Sequence, residues 1–145
     1  MKIEDILKTT QMIKSSNIYE VIKDYNLNVV YSEMLNNKKF DATLSGNIIL
    51  IKTDLMPEYE RFVLFHELGH YLLHQESDAK FSFYLSKYKN RIENEANAFS
   101  FLCLTKDIDL TNMNIIKLSV QLGIPEKIAI KIYDYLLLNQ YCLTC

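Results

Sequence analysis

From Glu58 to His74 the chain is apolar nearly all round at helical spacing, through Arg61-Phe62-Val63-Leu64-Phe65 and Tyr71-Leu72-Leu73, yet its middle holds His66, Glu67 and His70. Pro57 suits the first turn of such a helix, where its missing N–H has no partner to lose. A helix without a polar face is normally buried. Burying two imidazoles and a carboxylate is costly unless they are paired or bound to a metal. Whatever else the chain forms must therefore bring partners to the centre of this helix. Gly69 adds a second constraint: Gly in a helix interior is worse than Ala by about 1 kcal/mol, which implies that another element packs closely there.

His66-Glu67-Leu68-Gly69-His70 spells H-E-x-x-H. Two His at i and i+4 share one helix face and can hold one zinc ion, with Glu67 beside the water the metal activates. Average residue usage gives this pattern by accident in roughly one chain of this length in a few hundred. Two satisfied core histidines are the weaker reading, and the pattern is the working end of a zinc peptidase. Such a zinc takes three protein ligands and leaves its fourth position to water, so another ligand must come from elsewhere. His74 lies roughly 6 Å further along the axis than His70, too far to join. Glu93 or Glu95, on the next helix, is the natural supplier.

The 145 residues carry a net charge of −2, and the isoelectric point is near 5.9. That length fits one domain with a real core, expected to span 1–145. The slightly acidic balance lacks the electrostatic footprint of a nucleic-acid binder. No secretory signal opens the sequence, and no apolar run approaches the roughly 18 residues that cross a bilayer. A cytoplasmic protein without membrane contact is expected. The three Cys fit reduced thiols rather than a disulfide framework. The Cys142/Cys145 pair at the tail reads as two free thiols.

Apolar spacing predicts one or two helices between Ile3 and Tyr25, with a fresh N-cap at Ser15-Ser16-Asn17. Asn28 to Ser32 reads as a strand, and 40–44 with 47–52 as a hairpin about Ser45-Gly46. Residues 75–90 lack a clean period and read as a long loop, whose Phe81, Phe83, Tyr84, Leu85 and Tyr88 either wall a cleft or form a short covering element. Arg91 to Leu104 is a second helix. Thr111 to Leu122 and Pro125 to Leu138 form two more, split by Gly123-Ile124-Pro125. That pair has helix-turn-helix spacing, but only Lys127 and Lys131 are obvious phosphate contacts, so core packing accounts for it better. The expected fold is α+β: a small antiparallel sheet packed against a helical, zincin-like core at about 47–104, with C-terminal helices at about 111–138.

Arg61-Phe62, then His66 through His74, then Glu93-x-x-Ala96-Asn97-x-Phe99 resemble in order and separation the two signature blocks of the ImmA/IrrE metallopeptidase family. The resemblance runs from about Asn47 to Leu104. It implies a single Zn2+ held by His66, His70 and Glu93, with Glu67 as catalytic acid/base, Asn97 as a hydrogen-bond partner behind a ligand, and Glu95 at the surface. Ser100 and Thr105 stand where the family often has Ala and Pro, at the helix exit and away from the metal. Longer members carry an added DNA-binding or sensory domain, which is expected to be missing here.

The resemblance also implies the substrate, a helix-turn-helix repressor of a phage or mobile element, whose cleavage would switch genes on. An extended substrate is expected to pair with the sheet edge at 47–52. Tyr71, Tyr84 and His74 are candidate donors to the transition state. The competing class is a catalytically silent metal-binding or DNA-associated regulator that acts by gripping a partner.

Overall fold

The computed structural model describes residues 3–74 and 86–139. Helix α1 spans Ile3–Met12 and buries Ile3 and Ile6, one helical turn apart. The chain breaks as predicted and α2 follows at Ile18–Asp24, started by Asn17, whose side-chain oxygen accepts from the Tyr19 N–H at 3.0 Å. This satisfies one of the donors that every helix N-terminus leaves over.

Three short strands come next: β1 at Asn28–Tyr31, β2 at Ala42–Ser45 and β3 at Ile48–Ile51. The β2–β3 hairpin forms as predicted, with Gly46 in the left-handed region at φ +59°. The sheet is nevertheless mixed and not purely antiparallel. Its order is β1-β3-β2, and β1 runs parallel to β3 with Val29 opposite Ile49. Composition explains the order. Ile48-Ile49-Leu50-Ile51 is the one wholly apolar strand, and Ile49 and Ile51 are fully buried. It therefore takes the centre, paired on both sides, while the more polar β1 and β2 become edges. The α+β class stands, but residues 47–52 offer no open edge to a substrate.

Helix α3 occupies Pro57–Leu73 with Pro57 in its first turn. Phe62 to Phe65 and Leu68 are all buried, as expected of a helix covered on most sides. Its main cover is α4, Ser86–Leu104, which begins five residues earlier than the predicted Arg91. The rest of the expected loop, residues 75–85 with Phe81, Phe83, Tyr84 and Leu85, lies outside the described residues, as does the Cys142/Cys145 tail.

At Gly69 the two helices pack closely. A Cβ there would lie 2.9 Å from Cδ1 of Phe99 and 3.4 Å from Cα of Ala96. Phe99 is fully buried and has nowhere to turn. Gly69→Ala is accordingly expected to destabilise the fold: overpacking of about 1–3 kcal/mol exceeds the helix-propensity gain of about 1 kcal/mol. Urea unfolding checks the sign, and a stabilised variant would show that the helices are not held at this separation. Ser100 ties the same pair together, its hydroxyl donating to the Phe62 carbonyl at 2.7 Å inside the core.

Helix α5, Ile115–Gln121, is capped by Asn114, and α6, Glu126–Leu138, follows after Gly123-Ile124-Pro125. Their buried residues Ile115, Ala129, Ile132 and Leu136, with Ile124 of the turn between them, join the same core as α3 and α4. No helix among the described residues is long and apolar enough to cross a membrane.

Candidate metal centre

One turn of α3 separates His66 from His70, so both rings leave the same face, and α4 lies across that face. The two Nε2 atoms stand 3.1 Å apart. Glu93 of α4 reaches between them, with Oε2 at 3.1 Å from His66 Nε2 and Oε1 at 2.9 Å from His70 Nε2. The three residues form the group that could hold a metal ion among the described residues. Two further residues of α4 support the rings from behind. Asn97 Oδ1 lies 2.7 Å from His66 Nδ1. On the other side His70 Nδ1 lies 2.9 Å from His74 Nδ1, and His74 Nε2 lies 3.1 Å from Glu95 Oε1.

Asn97 Oδ1 is an acceptor, so His66 Nδ1 carries the hydrogen and donates it. Glu95 accepts from His74 Nε2–H, which leaves the His74 Nδ1 lone pair to accept from His70 Nδ1–H. A neutral imidazole has one N–H. Both Nε2 atoms therefore present lone pairs to each other and to the Glu93 carboxylate. A proton on His66 Nε2 would serve two of the three contacts and leave His70 facing Glu93 unrelieved. A divalent cation among them serves all three. The 3.1 Å between the two Nε2 atoms also fits: zinc bonds of about 2.05 Å at tetrahedral angles place ligand atoms roughly 3.3 Å apart.

The electrostatics of the four ionisable groups follow from the same contacts. Burial alone would raise the Glu93 carboxyl, but its bonds with His66 and His70 outweigh burial and hold it far below the usual carboxylate range. Burial lowers His66, and the Glu93 bond and charge overcome this to leave it raised. His70 remains lowered, by burial first and then by His66 and His74, against the bond and charge of Glu93. Glu67, on the same helix, is buried at 6 % exposure. Burial pushes its carboxyl up to about 7, with His66 pulling it down and Glu93 pushing it further up.

His66, Glu67 and Glu93 line an open cleft of about 610 Å³, bordered by Asp41 and Ala42 at the start of β2, by Tyr59 and Asn97, and by Lys131 and Tyr135 of α6. Tyr59 donates its hydroxyl to Asp41, and Lys52 closes on the same carboxylate at 3.2 Å. Burial, followed by the charge of Glu95, pushes the Tyr135 phenol up to about 12.

Of the residues singled out from sequence, His66, Glu67, His70, Glu93 and Asn97 are brought together. Glu95 is not at the surface: it is 1 % exposed and bonded to His74. His74 is no transition-state donor in this arrangement, since both of its ring nitrogens are engaged behind His70, and it is absent from the cleft lining. Tyr71 is exposed and also absent from that lining, and Tyr84 lies outside the described residues. The cleft walls on β2 and α6 carried no local signal. The link from His70 to His74 did carry one, since the two stand at i and i+4.

Two imidazoles on one helix, joined by an acid from a second helix beside a small sheet into a group that could hold a metal ion, belong to a metallopeptidase-type fold. Residues 22–123 match the model of the IrrE N-terminal-like domain, Peptidase_M78, and the chain belongs to that ImmA/IrrE family. It is 30% identical over 130 residues to the uncharacterized immunity region protein 2 of Bacillus phage phi105, covering 80% of this chain and 78% of that protein. In structure it is similar to a Mycobacterium tuberculosis transcriptional regulator, with a TM-score of 0.57 and 15% identity over 90% of this chain. That is a likeness of fold, and the chain spans about half the length of the regulator, 47% of it.

Proposed function

We propose that residues 1–145 act as one zinc-dependent endopeptidase domain in the cytoplasm, and that its substrate is a helix-turn-helix repressor of a phage or mobile element. The observation that carries the chemistry is the convergence of two imidazole lone pairs and a carboxylate on one point, each imidazole held from behind. The substrate reading is supported by the family and by the immunity-region relative.

His66, His70 and Glu93 would hold a single zinc ion as two neutral rings and one carboxylate. When bound, zinc supplies Lewis acidity, lowering the pKa of water from 15.7 toward about 7 and polarising a carbonyl. Glu67 takes a proton from the attacking water on its carboxylate and gives it to the leaving amine. Its place on the cleft wall, one residue from His66, suits both transfers. Asn97 keeps the His66 hydrogen on Nδ1, so that Nε2 stays available.

The substrate edge is assigned to β2 in place of the paired β3. Strand β2 is an outer strand of the sheet, and Ala42 lines the same cleft as His66. An extended peptide adding to that edge would gain backbone hydrogen bonds beside the metal. The expected result of mixing the zinc-loaded protein with a repressor from the same element is two fragments by mass spectrometry. Chelation should abolish them and added zinc restore them. A stable complex with no cut would overturn the enzyme and favour a silent partner-binding protein.

A further inference from the structure

We propose that His74 and Glu95 are positioning residues, a carboxylate-imidazole relay that aims His70 at the metal and fixes its tautomer. The proposal rests on the metal reading above. Glu95 sits two residues after Glu93 on α4 with 1 % exposure, and His74 sits one turn after His70 on α3 with its side chain 5 % exposed. A carboxylate so deeply buried is costly to keep unless its partner repays the lost solvation. Its oxygen meets His74 Nε2 at 3.1 Å, and His74 Nδ1 meets His70 Nδ1 at 2.9 Å.

These bonds leave one consistent direction for the hydrogens. Glu95 has no N–H to give, so His74 Nε2 donates, His74 Nδ1 accepts, and His70 Nδ1 donates. The far end of the chain is therefore a bare His70 Nε2 aimed at Glu93, 2.9 Å away. A neutral amide, Asn97, performs the corresponding task for His66. The two rings are thus backed differently, one by an uncharged acceptor and one by a charge passed through a second imidazole. A hydrogen bond from the rear of a ligating His raises its basicity and locks its orientation, and removing such a partner typically weakens metal by 10–100-fold.

The test is zinc affinity of the full chain by chelator competition, together with the visible spectrum of the cobalt-substituted protein and the thermal midpoint without metal. The double variant H74F/E95L removes both polar members of the relay together. It is expected to bind zinc about 10–100-fold more weakly and to shift the cobalt bands, because His70 is free to turn. A second variant, Glu95→Gln, keeps the shape and an acceptor oxygen but not the charge, and is expected to weaken zinc by about tenfold, the low end of that range. Zinc affinity and cobalt bands unchanged in both variants, or in Glu95→Gln if the double variant does not fold, would overturn the relay. A His66→Ala control that loses zinc would then show that the metal site itself stands. Failure of the unaltered chain to take up zinc would overturn both the site and the relay.

Discussion

Glu67→Gln is expected to retain one zinc per chain and to lose about 10²–10⁴-fold in the rate of peptide cleavage, the range for a positioned acid or base. The substitution isolates proton transfer from everything else at the site. Gln has the volume of Glu and can still hydrogen-bond to a water, so packing around this buried position of α3 is preserved. It cannot accept and carry a proton. The atoms that would hold the metal belong to His66, His70 and Glu93, and the contacts that join them to one another and to Asn97 do not run through Glu67. Zinc content by atomic spectroscopy and turnover on a repressor substrate separate the two quantities. A variant that keeps full turnover removes Glu67 from the mechanism, and one that loses zinc makes it a structural residue of the site.

The largest expected stability effect lies far from the chemistry, at Gly123. Its φ is +89°, and a Cβ built there would stand 2.5 Å from Cβ of Glu58 and 3.1 Å from the Glu58 carbonyl carbon. Gly123→Ala therefore meets two penalties: about 1–2 kcal/mol for a left-handed conformation in a residue with a side chain, and about 1–3 kcal/mol for overpacking. The obstacle is partly the backbone of the first turn of α3, which cannot rotate away. A loss of roughly 2–5 kcal/mol is expected by urea unfolding. Gly46→Ala provides the comparison, since Gly46 has φ +59° with nothing within 4 Å of a built Cβ. Only the conformational penalty applies there. Equal losses at the two positions would refute the claim that the α5–α6 turn is wedged against α3.

The parts of this molecule legible in the sequence are those governed by neighbours a few residues away. The helix that carries His66 and His70 follows from H-E-x-x-H within an apolar run, the start of α2 from Asn17, the hairpin from Ser45-Gly46, and the break before α6 from Gly123 and Pro125. Glu93 was one of two acids consistent with the spacing, and only the family pattern separated it from Glu95. The direction of β1 was not legible, because alternation reports which face is buried and is blind to the strand's neighbour. Glu95 read as a surface acid for a related reason. Its partner, His74, stands 21 positions away, and a charged residue with no local partner normally belongs in water. Nothing within α6 reveals that Lys131 and Tyr135 face a cleft whose other side is built from β2.

Glu93, Glu95 and Asn97 occupy little more than one turn of α4, and between them they meet all three imidazoles of α3. The centre therefore depends on the register between two rods. A slide of one rod along the other by a single turn would undo the ligand and both supports together, leaving no half-assembled form. Docking of these helices and competence to take up metal should thus appear as one cooperative event, with the ion acting as a latch on the interface.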